Sequence, residues 1–299
     1  METIPHSRPL PPMEETPFLK TSSIMKVDRP EGVLNYLVMD HHTNPNHDSS
    51  EIGKASMTVL NKVYTTQLHR VRCVNDSHMS HTLQNLHGLD MSKMMVSTLL
   101  SEDTVHREKI LYNKYAELSN QSSDLFVTKW QKRVQGLFKK LQFPHYVNSG
   151  DEMYKKIMMH CRMIESRSSL GPGNFVMLPG ELLSILEESP NFMYLMSGEV
   201  KNSMFNEVGS INGVKVFTNM YSKGMTVIVG RETKDQQPGT YFIHQDRELL
   251  QMENQISMKH ETEIRSRYCV VDTTDAHLNY ASFEVKIGEK PWWRKMFRL

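Results

Sequence analysis

The side chains most suggestive of chemistry sit in one short stretch: Asp40-His41-His42, then His47 and Asp48. Imidazole nitrogens and carboxylates at such spacing suit a divalent metal, and a metal would serve a small hydrolase. The same stretch holds Asn44, Pro45, Asn46, Ser49 and Ser50, so it reads as a polar loop that does not preorganise a site. Gly171-Pro172-Gly173-Asn174 has the glycines of a phosphate cradle. It lacks the Lys-Ser/Thr that follows a true phosphate loop, and a strand follows it where that loop has a helix. It reads as a tight connection. His160-Cys161 with Glu165 offers a nucleophile and a base. Adjacent helical residues point in different directions, and Cys161 falls on an apolar stripe, so a buried structural cysteine is expected. No nucleophile elbow, H-E-x-x-H pair or dinucleotide fingerprint occurs. The expectation is a protein that is not an enzyme, with no catalytic, cofactor-binding or metal-ligating residue assigned and no cofactor.

One further group is the C-terminal run Pro291-Trp292-Trp293-Arg294-Lys295-Met296-Phe297-Arg298-Leu299. Stacking on nucleic acid, lying at a membrane surface, anchoring in a neighbouring subunit and packing on its own domain all suit interleaved aromatic and basic residues.

The elements around these groups follow from periodicity. Pro5, Pro9, Pro11, Pro12 and Pro17 make residues 1–23 read as an extended arm that packs no core of its own. Ile24–Val27 leads into the turn chemistry of Asp28-Arg29-Pro30-Glu31-Gly32. Val33–Met39 pairs with a returning strand carrying Met57, Val59, Val63, Leu68 and Val71, around a polar tip at 40–50. Such a hairpin has little core of its own and must lie on something else. Helices dominate from about Ser80 to Ser166. One carries Leu89, Met91, Met95, Leu99, Leu111, Tyr115 and Leu118; a second carries Trp130, Val134, Leu137, Phe138 and Leu141; a third carries Met153, Ile157, Cys161 and Ile164. Phe175–Leu178, Gly213–Phe217 and Met225–Val229 read as short strands, with a helix opened by Pro179-Gly180. Then Ile256, Met258, Ile264, Tyr268 and Val270 alternate with Lys259, Glu261, Glu263, Arg265 and Arg267, as in a long half-buried antiparallel strand. Ala281, Phe283, Val285 and Ile287 repeat the pattern after a turn at Asp272–Asp275. The order implies an α+β protein with two lobes and projecting arms.

Bulk properties narrow the class. The 299 residues, 38% hydrophobic and 23% charged, can bury a core. Lys+Arg at 35 against Asp+Glu at 34 argues against a dedicated nucleic-acid coat, which carries excess basic charge. Cys73, Cys161 and Cys269 fit no disulfide framework or zinc pattern and suit folding in a reducing cytoplasm. The 22 methionines read as adaptable core filler. No apolar run approaches a membrane span, and Met1–Pro12 lacks the layout of a signal peptide.

Several segments in order resemble the major capsid proteins of T-even-type tailed phages. They are Ile24–Gly32, Leu83–Asp90, Ser97–Glu102 with Arg107-Glu108, and Gly171–Val176. Asn212–Phe217 with Asn219 and Tyr221, Gly239–Phe242 and Arg265–Tyr268 complete the series. The chain departs from that pattern: the family's cleavable N-terminal segment is not recognisable, Met13-Glu14-Glu15 only weakly matches its cleavage site, the extended loop and the region after the spine helix are short, the inserted side domain is not recognisable, and Asn219 stands for an aspartate. The resemblance implies the tailed-phage capsid (Johnson) fold. Residues 1–23 would be the N-terminal arm, 24–75 the extended loop hairpin, 76–125 the peripheral domain with its spine helix, 126–238 the axial domain, and 239–299 peripheral strands with the C-terminal tail. It implies a structural subunit that self-assembles, as hexamers and pentamers, into an icosahedral head shell around double-stranded DNA. DNA would lie non-specifically on the inner face; scaffold, portal, vertex and decoration proteins would be partners, and a membrane would not. The setting would be the virion, after assembly in the host cytoplasm. The alternatives are a vertex or minor capsid paralogue, an encapsulin-like compartment, and the small metal-dependent hydrolase of the histidine loop.

Overall fold

A computed structural model of the chain describes residues 6–9, 16–41, 55–123, 145–195, 203–219, 224–233, 239–254 and 259–288. The histidine-loop residues 42–54, the Trp130 helix and the C-terminal run lie outside them. Three sheets organise the rest. A hairpin pairs β3 (Glu31–His41) with β4 (Ala55–Thr65). A six-stranded sheet is centred on β14 (Lys259–Asp272). Its other strands are β1 (His6–Pro9), β2 (Ser23–Lys26), β5 (Gln67–Asp76), β12 (Thr240–His244) and β13 (Glu248–Asn254). A seven-stranded mixed sheet runs β6 (His145–Val147), β15 (Tyr280–Ile287), β11 (Thr226–Gly230), β7 (Phe175–Pro179), β10 (Val214–Asn219), β9 (Phe205–Ile211) and β8 (Phe192–Tyr194).

The returning arm of the hairpin is two strands. The chain bends at Thr66, whose backbone N–H and hydroxyl both donate to the Pro30 carbonyl at 2.7 and 3.0 Å. Beyond that bend β5 leaves β4 and pairs antiparallel with β14, His69 opposite Ser266 and Val71 opposite Ile264. The first helical region also divides. Asp76 caps α1 (Ser77–His87) through the His78 N–H, and Gly88 ends it in the left-handed region at φ 64°. Leu89 therefore lies between α1 and α2 (Met91–Ser123), a 33-residue helix about 50 Å long.

α2 touches both large sheets. Its first half sets Leu99 against Leu249 and Ile264 of the six-stranded sheet. Its second half sets Leu111, Tyr115 and Leu118 against Phe175, Phe217, Ile228 and Tyr280 of the seven-stranded sheet. On the opposite face of that sheet, α3 (Gly150–Ser168) brings Met153, Ile157, Cys161 and Ile164 onto Val176, Val216, Val229 and Phe283. The period-two geometry of strands explains the division, since 175 and 177 face α2 while 176 and 178 face α3. Both sides being covered, every residue of β7 is buried. The short helix α4 (Gly180–Leu186) closes the α3 side with Leu182 and Leu186.

Two segments sit differently from the reading of their sequence. Part of the proline-rich arm belongs to the core: Phe18 stacks on Phe205 at 4.1 Å between centroids, and Phe18 and Leu19 are fully buried. Pro17 starts a turn leading into a 3-10 helix at Leu19–Thr21 rather than a free extended run, so apolar residues behind it reach α2. And β15, grouped by its alternation with the long strand before it, pairs instead with β11 and β6 in the seven-stranded sheet. A turn at Thr273–Asp275, with Asp275 at φ 59°, and the 3-10 helix Ala276–Asn279 after it carry the chain from one sheet to the other.

Candidate assembly surface

The hairpin has one face committed to its own chain and one turned away. Leu34, Tyr36 and Tyr64 are buried against Val27, Ile243 and Val271. Tyr36 Oη lies 2.7 Å from Thr274 Oγ1 and accepts the Thr274 N–H at 2.9 Å. Lys62 Nζ donates to the Asp272 carbonyl, and Lys114 of α2 pairs with the Asp272 carboxylate at 2.8 Å. These bonds fix the angle at which the hairpin leaves the body. On the other face the register puts Val33 opposite Val63 and Leu37 opposite Val59, with Asn35 and Asn61 between them. Val33, Leu37, Val59 and Val63 are 56, 49, 60 and 74% exposed. Single exposed apolar side chains are ordinary, but two aligned cross-strand pairs on one face, on either side of the Asn35–Asn61 pair, are the kind of surface that marks a contact.

Smaller apolar surfaces occur elsewhere. Met79 and Leu86 of α1 are exposed on one side of that helix, and Met193, Tyr194 and Leu195 are exposed at β8, the end strand of its sheet.

The residues singled out for chemistry are placed for packing. Cys161 is fully buried and its thiol is pushed up to about 12 by that burial. His160 is stacked face to face on Phe283 at 4.3 Å, and burial first, then the neighbouring His145, holds its imidazole down to about 3. Glu165 is exposed. In the glycine loop the N–H of Gly173 donates to the Cys161 carbonyl at 3.2 Å and that of Asn174 to the Gly230 carbonyl at 2.9 Å. The Asn174 side chain donates to the Glu232 backbone carbonyl at 2.6 Å and accepts the Glu232 backbone N–H at 3.1 Å. Those donors are used within the fold and do not converge on an anion. Among the described residues no group of three or more His, Cys, Asp or Glu is placed to hold a metal, and no helix is long and apolar enough to cross a membrane.

Three buried polar centres join the parts of the body, and sequence reasoning missed all of them. Asp103 accepts from Ser266 Oγ at 2.5 Å and pairs with Arg107 at 3.1 Å. Glu108 accepts from Thr16, Ser203 and the N–H of Met204. Glu232 accepts from Thr240 of one sheet and Tyr280 of the other; burial pushes its carboxyl well up. The signal was present for one of them. Leu99, Asp103, Arg107, Leu111 and Tyr115 follow at intervals of four, so an acid and a base lie within the apolar row of α2.

The described residues thus form a two-sided sheet under a long bridging helix, with a hairpin projecting from the body. The fold agrees with a chain from Microbacterium phage Oxtober96, at 9% identity and TM-score 0.52 over 93% of each chain. Weaker likenesses are to the capsid of Myoviridae phage XM1 (9% identity, TM-score 0.49, 90% of this chain and 91% of that one). Another is to the satellite phage P4 procapsid including size determination (Sid) protein (11%, 0.47, 93% and 97%). No curated sequence matches. The family model "Major capsid protein Gp23" matches residues 46–292. The chain therefore belongs to the Gp23 major capsid protein family: it has the α+β tailed-phage capsid fold, is a structural subunit of a phage capsid shell and not an enzyme, and self-assembles.

Proposed function

We propose that the hairpin, with the arm ahead of it, makes the main contacts between subunits arranged as hexamers and pentamers of an icosahedral head. In this reading residues 24–75 are the extended loop, 76–125 and most of 239–279 the peripheral domain, and 126–238 together with β15 the axial domain. The observation that carries the reading is the outward stripe of Val33, Leu37, Val59 and Val63 on a hairpin whose inner face is already anchored. A tile that meets many copies of itself needs surfaces that are apolar yet rigidly presented, because each contact is modest and closed symmetry multiplies them. Double-stranded DNA lies non-specifically on the inner face, and the net charge of +1 limits its binding before the shell closes. Scaffold, portal, vertex and decoration proteins are the further partners, and assembly takes place in the host cytoplasm.

The test is Val63→Asp combined with Val33→Asp. Both side chains point away from the body, so the subunit keeps its circular-dichroism spectrum, while electron microscopy and light scattering show dispersed subunits where the parent forms shells. Closed shells of normal size from a folded double variant overturn the assignment.

A further inference from the structure

Where β5 crosses α2, at the foot of the hairpin, His69 and His106 stack with ring centroids 3.8 Å apart and planes 6° from parallel. His69 Nδ1 lies 3.5 Å from Asp103 Oδ1. Tyr268 of β14 lies beside both rings, at 6.0 and 6.2 Å. A half-open cavity of about 490 Å³, lined by Gln67, His69, His106, Lys114 and Tyr268 among others, brings solvent to the stack.

The charged groups around the pair come from every element packed there. α2 supplies Asp103, Arg107, Lys109, Lys114 and Glu117; the connection before β13 supplies Arg247; β14 supplies Tyr268 and Asp272. Lys114 is balanced by Glu117 at 3.0 Å and Asp272 at 2.8 Å. Asp103, by contrast, is the carboxylate beside the stack and is already met by Arg107 at 3.1 Å and Arg247 at 3.8 Å. Arg70 of β5 is directed to Glu263 and does not compete.

One proton on the pair therefore finds Asp103. A second places two imidazolium rings face to face among guanidiniums that outnumber the acid. Burial first, and His69 next, hold His106 below its ordinary range against the opposing pull of Asp103. We propose that the His69–His106 stack is a proton-sensitive joint: it holds the foot of the hairpin to the long helix while at most one ring is charged, and it loosens when acid charges both. The joint is a property of the single chain and does not depend on what the hairpin meets.

Hydrogen exchange of the full-length subunit, held unassembled and corrected for intrinsic rates, reads it directly at about pH 7.5 and about pH 5, either side of the histidine range. Amides of 67–73 and 102–110 lose protection in acid beyond any change shared by the rest of the chain, about tenfold per pH unit for each proton linked to opening. His106→Phe keeps a flat ring on His69 and cannot take a charge, so the local loss disappears. His69→Gln gives the same result should His106→Phe fail to fold, because one imidazole alone cannot form the doubly charged pair. The same acid loss in either folded variant as in the parent, or no local loss in the parent, overturns the proposal.

Discussion

The carboxylate of Glu108, fully buried in the middle of α2, accepts the hydroxyl of Thr16 at 2.5 Å and so ties the N-terminal segment to the long helix. The same carboxylate accepts Ser203 Oγ at 2.7 Å and the N–H of Met204 at 2.6 Å, on the connection into β9. One acid thus holds three stretches of chain that no regular ladder joins.

Burial raises the Glu108 carboxyl above the ordinary carboxylate range, against the lowering pull of those hydrogen bonds. A raised acid binds its proton more tightly folded than unfolded. Its contribution is present below the ordinary value and is lost as pH rises through the raised one. Glu108→Gln, which mimics the protonated form, should flatten the fall of stability between about pH 5 and 8. Glu108→Ala leaves the Thr16, Ser203 and Met204 donors unmet and should cost about 2–4 kcal/mol. Urea denaturation across that pH range checks both, and a slope equal to the parent's in Glu108→Gln rules the coupling out.

Asp103 and Arg107 form a pair with side chains 0% and 1% exposed. Removing one partner strands the other charge, so Asp103→Ala should cost about 3–5 kcal/mol. Asp103→Leu with Arg107→Met removes both charges and should recover most of that loss, since a buried pair and a well-packed apolar pair are often nearly equal in stability. A double variant no more stable than Asp103→Ala would show that Ser266 and Arg247, rather than the pair, set the value.

Much of this fold was legible in the residues. Alternation found β14, where Ile264 and Tyr268 are buried as their spacing requires. The row of Met153, Ile157, Cys161 and Ile164, at helical spacings of four and three, found α3, and Gly171-Pro172-Gly173 marked its end. The hairpin was legible because β-branched and aromatic runs flank a polar tip, and its exposed stripe follows once the register is known. Sheet membership was not legible. β15 alternates like β14, yet the connection at 273–279, a turn and a 3-10 helix, sends it to another sheet, and period-two patterning carries no information about which neighbour a strand meets. The buried acids were hidden for a similar reason: Glu108 and Glu232 look like surface residues until the fold brings Thr16, Ser203, Thr240 and Tyr280 beside them.

Glycine positions separate by the space around them. A Cβ on Gly230 would lie 2.2 Å from Cζ of fully buried Phe175, whereas one on Gly180 would meet nothing within 4 Å. Gly230→Ala must push an aromatic ring through a packed sheet face and should cost about 1–3 kcal/mol or more. Gly180→Ala, at the start of α4, should be neutral or stabilise by about 0.4–1 kcal/mol by restricting the unfolded chain. Paired thermal melts decide it, and equal midpoints for the two variants would contradict the packing described for Phe175.

His160 contributes to the acid limb of stability. Its ring lies 4.3 Å from and 7° off parallel to Phe283, on the α3 side of the seven-stranded sheet, and its proton affinity is held down to about 3. The unfolded chain takes up a proton below about pH 6.5 that the folded chain refuses until far lower. Stability therefore falls as pH drops below that value, by up to about 1.4 kcal/mol per pH unit from this one group. His160→Phe preserves a flat apolar ring against Phe283 and removes the titration. Its unfolding free energy between about pH 6.5 and 4.5 should fall less steeply than the parent's by roughly one proton's worth. An acid slope unchanged by the substitution would mean that the ring is already charged in the folded protein, which its stacked and buried position argues against.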